Sequence, residues 1–336
     1  MIIKPKKIVL IGGAGFIGHN LAMSLKRRGH EPVIIDNLAV NNILSFTDKE
    51  VKNRKLYWSI LNQRMDLLHE KEIELNVEDG RNYSAMSLLI DKHKPDVIIQ
   101  LAAVSHADKS NKDPHTTFDH TLRTLENTLD IAKNLNCHVV YFSSSMVYGH
   151  FNGQSVNEET VCNPLGIYGT LKYSGEIIVK AYHRVFDIPY TIVRPSALYG
   201  ERCVSRRVSQ IFIENAVQGM DITIKGDGSD ELDFTYIDDL IHGTTLIVEN
   251  EKALNGTFNL TYGEARKIGE MAEILKNHFE GININYQPKD SLTPNRGTLN
   301  VDKARDLLGY HPQNDIDVGY PKYIQWYKDC WSNLKQ

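Results

Sequence analysis

The chain is poor in cysteine. Its four, Cys137, Cys162, Cys203 and Cys330, are scattered without metal-ligand spacing and read as reduced cytosolic thiols. Long apolar runs are also missing. Nothing approaches the ~18 residues of a membrane-spanning helix, and Met1-Ile2-Ile3 leads into a strand rather than a signal-peptide core. A cytoplasmic protein with nothing removed is expected. Nor is there a basic excess: 38 Lys and Arg stand against 42 Asp and Glu, for a formal net charge of −4. Binding to nucleic acid or to an anionic membrane as the main task is therefore excluded, since both need a concentrated basic face. Lys4, Lys6 and Lys7 are too few to form a binding arm.

What the chain does have is an informative beginning. Lys7-Ile8-Val9-Leu10-Ile11 is an apolar run that ends in Gly12-Gly13-Ala14-Gly15-Phe16-Ile17-Gly18, and helical apolar spacing follows from His19 to Lys26. Strand, glycine loop and helix follow one another. Gly12 suits a tight turn, Gly15 lets a pyrophosphate approach the backbone, and Gly18 lets the helix pack close to the strand. The helix start, with Phe16 and Ile17, offers free N–H groups and partial positive charge to phosphates. A second apolar run, Pro32-Val33-Ile34-Ile35, ends in Asp36 about 20 residues after the loop, where a dinucleotide fold places the acid that binds the adenosine ribose. Asp36 would repel a 2′-phosphate. The pattern points to NAD rather than NADP.

With 336 residues the chain can form one large or two coupled domains. Ala39 to about Lys71 is polar and longer than a usual connection, so it is expected to carry some helix or a flap. Strands are expected at Glu72–Val77, Pro95–Ala103, Val139–Phe142 and Tyr190–Val193, and helices at Ser84–Lys92, Thr116–Leu135 and Lys172–Val185. Such alternation predicts an α/β fold with a doubly wound parallel sheet. From Pro195 onward it loosens, and helices at Ile268–Phe279 and Pro321–Trp331 suggest a smaller α/β lobe. The expected division is 1–194 for the dinucleotide domain with the catalytic residues and 195–336 for a substrate lobe, with some chain crossing between them.

A second stretch carries the chemistry. Ser143-Ser144-Ser145-Met146-Val147-Tyr148-Gly149 follows a strand, and Tyr168 and Lys172 are spaced to share one helical face. A free tyrosine titrates near ~10 and is a poor base at neutral pH. A neighbouring ammonium favours the phenolate, and a hydroxyl at the end of the preceding strand can bind the same substrate oxygen. Along a strand, Ser143 and Ser145 would face away from Ser144. Ser144 is preferred, with Ser145 as the alternative.

Together these residues resemble the extended short-chain dehydrogenase/reductase family, in its nucleotide-sugar epimerase and dehydratase branch. The resemblance spans almost the whole chain: Gly12-x-x-Gly15-x-x-Gly18, Asp36-Asn37-Leu38, Leu101-Ala102-Ala103, Ser144-x-x-Val147-Tyr148-Gly149, Tyr168-x-x-x-Lys172, Arg194-Pro195, Asp233-Phe234-x-Tyr236-x-Asp238-Asp239 and Asn295-Arg296-Gly297-Thr298-Leu299. It implies a bound NAD that takes a hydride from a sugar carbon and returns it. It also implies Ser144, Tyr168 and Lys172 as catalytic residues and a cofactor site extended by Asn37, by Asn76-Val77 near adenine, by Leu101-Ala102-Ala103 and by Pro195.

Three departures bear on the reaction. The Asp-Glu that follows the catalytic hydroxyl residue in dehydratases is here Ser145-Met146, so elimination is disfavoured. The arginine before Asp-Phe that binds the nucleotide diphosphate is Leu232, and an asparagine common after Arg194 is Ala197. Diphosphate binding then falls to Arg202, Arg206, Arg207 or Arg296, whose forked guanidinium suits phosphate oxygens. The leading expectation is an epimerase acting at C4 of a UDP-sugar. A dehydratase or dehydrogenase of the same family, and a non-catalytic NAD sensor, are the alternatives; intact Tyr168 and Lys172 argue against the last. No metal is expected. Helices Thr116–Leu135 and Lys172–Val185 resemble those of the family's dimer contact, which implies a homodimer.

Overall fold

Runs of Val, Ile and Leu bounded by Gly, Asp and Pro build the centre of the molecule as parallel strands. The computed structural model describes residues 4–48, 51–104, 107–151, 153, 155–288 and 294–334. Seven strands form the central sheet: β1 (Lys7–Ile11), β2 (Glu31–Ile35), β3 (Glu74–Asn76), β4 (Val97–Gln100), β5 (His138–Phe142), β6 (Tyr190–Arg194) and β7 (Gly256–Asn259). Their order is β7-β6-β5-β4-β1-β2-β3, with every pair parallel. The edge strand β7 comes from the chain after Pro195. From β1 the chain winds outward in both directions, so a crevice opens outside the carboxyl ends of β1 and β4.

Alternation along these strands feeds both faces of the sheet. Ile8, Leu10, Ile34, Ile99 and Val140 join one core, and Val9, Ile11, Ile35, Ile98 and Val139 the other. The connections are α1 (Phe16–Arg27), α2 (Arg54–Glu70), α3 (Tyr83–His93), α4 (Ala107–Lys112), α5 (Pro114–Phe118), α6 (Thr124–Ala132) and α7 (Ile167–Phe186). Of the two outcomes expected for the polar stretch after β2, some helix or a flap, it holds a helix of 17 residues, α2, whose buried stripe of Leu56, Tyr57, Ile60, Leu61 and Leu68 is diluted by charged residues on the outer face. One helix differs from the sequence-based reading. The helix expected from Thr116 to Leu135 is interrupted by a π-helical turn at Asp119–Arg123 between α5 and α6. Such a wide turn displaces the side chains that follow it, and Thr124 just after it reaches the cleft.

Outside the central sheet, short strands pair across the chain. Leu198–Tyr199 pairs with Thr235–Tyr236, and Ser155–Val156 with Thr298–Leu299. Asp233 is fully buried and locks this region, accepting hydrogen bonds from Thr261 Oγ1 (2.9 Å), Gly263 N (3.2 Å) and Leu299 N (3.0 Å). Burial pushes its carboxyl up to about 7. The bond to Leu299 anchors the strand that follows Arg296.

One buried ion pair braces α7 against the sheet. Arg194, at the end of β6, grips Glu176 of α7 with Nε to Oε1 at 2.9 Å and Nη2 to Oε2 at 2.6 Å, and the side chains are 3% and 0% exposed. Removing one partner of a buried pair leaves an uncompensated charge. Arg194→Met is expected to lower stability by about 3–5 kcal/mol in urea unfolding of the full chain. A change below about 1 kcal/mol would show that the pair does not brace the fold.

Candidate active site

The cleft at the carboxyl ends of the strands has a volume of about 320 Å³. Its floor is the glycine loop. Gly12 has a φ of +80°, and a Cβ there would meet Ala102 N at 2.6 Å; a Cβ on Gly18 would meet Gly13 Cα at 2.5 Å. Side chains are excluded at both positions. No side chain caps α1 at Gly15, and its first turn carries no acidic residue. Its N-terminal N–H groups are left for an anion from outside the chain. This cradle fits a dinucleotide pyrophosphate, and Gly12, Gly15, Phe16, Ile17 and Gly18 all line it.

Asp36 sits just past β2, accepting hydrogen bonds from Ala14 N (3.0 Å) and Leu38 N (2.7 Å). Burial pushes its carboxyl up, opposed by those two donors and by Arg64. Asp36 and Asn37 line the same cavity, and Asn37 Nδ2 donates to Asp79 at 3.1 Å. Leu101, Ala102 and Ala103 form the wall after β4. Asn76 and Val77 lie elsewhere. The Asn76 amide donates to Glu74 at 3.3 Å, and Val77 is 65% exposed. The strand ends one residue before Val77, and the chain then turns to present Glu78, Asp79 and Gly80 to the cavity instead.

At the other end stand the residues of acid–base character. Tyr168 lies in the first turn of α7 and Lys172 one turn later, and both line the cleft. Lys172 Nζ donates to the Phe142 carbonyl at 2.7 Å and lies over the Tyr141 ring at 5.2 Å. Burial pushes its ammonium down to about 8. Glycine makes this proximity possible: a Cβ on Gly175 would meet Tyr141 Oη at 2.2 Å. The serines depart from strand alternation because β5 ends at Phe142 and a 3₁₀ turn begins at Ser145. Ser143 Oγ donates to Glu176 at 2.5 Å, Ser144 Oγ accepts from Met146 N at 3.2 Å, and Ser145 Oγ donates to Ser196 at 3.1 Å. All three serines reach the cleft, beside Pro195.

The four candidate arginines divide. Arg207 and Arg296 line the cleft. The Arg296 guanidinium packs on Met146 Sδ, and its enclosure and the charge of Arg207 push it down to about 10. Arg202 and Arg206 turn away, both in left-handed backbone with φ of 63° and 52°. Arg202 bonds His19 Nε2 (3.2 Å) and Asn20 Oδ1 (3.1 Å), and Arg206 Nε pairs with Glu214 at 3.6 Å. Arg64 of α2 lines the cavity without having been singled out from the sequence. The signal was there: Arg64 falls in the apolar stripe of α2, where an arginine needs a reason.

A parallel sheet with a glycine cradle, an acid after β2 and a Ser, Tyr and Lys group defines a dinucleotide-binding enzyme fold of the extended short-chain dehydrogenase/reductase class. The chain belongs to the NAD dependent epimerase/dehydratase family, whose model matches residues 8–261, and its cofactor is NAD. It is 28% identical to the uncharacterized UDP-glucose epimerase YtcB of Bacillus subtilis, over 95% of this chain and 97% of that protein. It is also 28% identical to UDP-glucuronic acid decarboxylase 1 of Danio rerio, over 96% of this chain and 72% of the relative. The structure of UDP-glucuronic acid 4-epimerase from Bacillus cereus, with UDP-glucuronic acid and NAD, superposes with a TM-score of 0.84 at 26% identity, covering 96% and 99% of the two chains.

Lys172 makes stability depend on pH. Its folded value of about 8 lies below the ordinary 10.5, so between those values the unfolded chain holds a proton that the folded chain has released. Stability conferred by this site therefore rises with pH through that window. In urea unfolding of cofactor-free protein, the stability of the parent relative to Lys172→Met is expected to increase from pH 7.5 to pH 10. A difference independent of pH would contradict the assignment.

Proposed function

We propose that the chain is a nucleotide-sugar epimerase that inverts C4 of a UDP-sugar through a transient 4-keto sugar. One observation carries the reading: Ser144, Tyr168 and Lys172 share the cleft with Met146, and the only carboxylates lining it among the described residues, Asp36, Glu78 and Asp79, lie at the β1–β3 end. Elimination and decarboxylation call for further groups at the reacting carbon, whereas inversion needs one base that both takes and returns a proton. NAD held by the glycine loop, the start of α1 and Asp36 would supply the acceptor for the hydride lost from C4 and the donor for its return. Tyr168 removes the C4 hydroxyl proton, Ser144 holds the same oxygen, and Lys172 favours the phenolate through its charge. Tyr168 gives the proton back after the sugar has turned.

Arg207 and Arg296 are the guanidiniums for the diphosphate, in place of the arginine absent at Leu232. The UDP-sugar reading is supported by what the relatives are named for. Four free cysteines accord with a reducing cytoplasm. Exposed Phe118 on α5 and Ile177, Val185 and Phe186 on α7 support a homodimer.

The test is incubation of purified protein with UDP-, GDP-, CDP- and dTDP-sugars, read by mass and proton NMR. Unchanged mass with an inverted centre is the expected result; loss of water would mean a dehydratase, and net NADH a dehydrogenase. Tyr168→Phe should lower turnover by ~10²-fold or more with NAD still bound. Activity within a few-fold of the parent would remove Tyr168 as the base.

The arginines give a separate expectation. Arg207→Ala and Arg296→Ala should each raise KM by ~10-fold or more, since a charge-assisted hydrogen bond is worth roughly 1.5–3 kcal/mol. Arg206→Ala, which faces Glu214, should change KM by less than ~3-fold. The reverse ranking in steady-state kinetics would mean that the diphosphate lies elsewhere.

A further inference from the structure

Arg64 is the largest of the fully buried side chains and lies on the core-facing stripe of α2. A guanidinium there must be compensated, because an unpaired buried cation is strongly unfavourable. Among the described residues its hydrogen bonds are satisfied but its charge is not neutralised by an ion pair. Nε and Nη2 both donate to the Arg202 carbonyl, at 3.0 and 2.6 Å, and Nη1 reaches the carbonyls of Asn41 (3.3 Å) and Ala14 (3.5 Å). All of these partners are neutral. No hydrogen bond or ion pair joins Arg64 to a carboxylate among the described residues; Asp36 acts on it only through its field, as does Cys203.

The position of this cation is informative. Ala14 immediately precedes Gly15, where α1 begins without a side-chain cap, and Arg64 lines the same cleft as Gly15, Phe16 and Ile17. Anions seated at that helix start come under the guanidinium's charge as well as the helix dipole. We propose that Arg64 is a cofactor-binding residue, supplying from beneath the glycine loop the counter-charge for the dinucleotide phosphates. The same group ties three segments together: the glycine loop through Ala14, the loop after β2 through Asn41, and through Arg202 the segment that presents Arg207 to the cleft. Arg202 itself is in left-handed backbone, φ 63°, and the fork on its carbonyl holds it there.

The proposal rests on NAD as cofactor and not on the epimerase reading, so it is tested without a sugar. Full-length protein stripped of cofactor is titrated with NAD and ADP by calorimetry and with adenosine by NMR, for the parent, Arg64→Gln and Arg64→Lys. Both substitutions remove the fork; only lysine keeps the charge. Arg64→Gln should weaken NAD and ADP by ~10-fold or more while adenosine, which has no phosphate, changes by less than ~3-fold. Arg64→Lys should hold NAD within ~5-fold of the parent. Equal weakening of adenosine would mean a collapsed loop and would overturn the proposal, as would unchanged affinities throughout. If Arg64→Gln does not fold, the lysine variant decides: a loss of NAD affinity beyond ~10-fold there shows that geometry rather than charge is at work, and overturns it.

Discussion

The grip of Arg194 on Glu176 is the contact on which the acid–base end of the cleft depends. It joins the carboxyl end of β6 to the middle of α7, and Ser143 adds a third hydrogen bond to the same carboxylate. Glu176 follows Lys172 by one turn and Tyr168 by two, so fixing it fixes the azimuth of the whole helix face. Arg194 also donates to Tyr148 Oη at 2.9 Å, and Tyr148 Oη in turn donates to Asn259 on β7 at 2.8 Å. A buried network of this kind is valuable only when every member is satisfied. Here each named group has its partner, and three strands' ends and one helix are held in a single arrangement.

Placement of Lys172 follows from that brace and from the removal of side chains between α7 and β5. With no side chain at Gly175, α7 closes on Tyr141, and Lys172 then reaches the Phe142 carbonyl. The cost is desolvation, visible as an ammonium pushed down to about 8. Burial and not a neighbouring cation is what lowers it, and the nearby Glu176 carboxylate opposes the shift.

Much of this was legible before the structure. Gly12, Gly15, Gly18 and Asp36 could be read because each answers a steric or electrostatic demand that few other residues meet, and the alternating apolar runs gave the parallel sheet. Tyr168 and Lys172 were readable from helical spacing. What could not be read depends on where strands stop. Strand alternation assigned Ser143 and Ser145 to one face, but β5 ends at Phe142, and the three hydroxyls diverge through a turn. At β3 the strand likewise stops at Asn76, so the cleft is lined by Glu78 and Asp79 just beyond and not by Asn76 and Val77. The arginines after Tyr199 could not be sorted at all from spacing, since left-handed residues at positions 202 and 206 decide which side chains face inward.

Charge in the cleft is arranged along its length rather than balanced locally. Asp36, Glu78 and Asp79 cluster beside β1–β3, whereas Arg207, Arg296 and Lys172 gather around Tyr168, and Arg64 stands under the loop between them. Among the described residues that line the cleft, the carboxylates and these cations thus stand at opposite ends. Arg207 lowers the affinity of Arg296 for its proton, so the two repel each other across the cavity. In a site of low dielectric such charges act on one another, and on any ligand, more strongly than they would in water. The cleft therefore has two electrostatic ends, a carboxylate end beside β1–β3 and a cationic end where Ser144 and Tyr168 also stand.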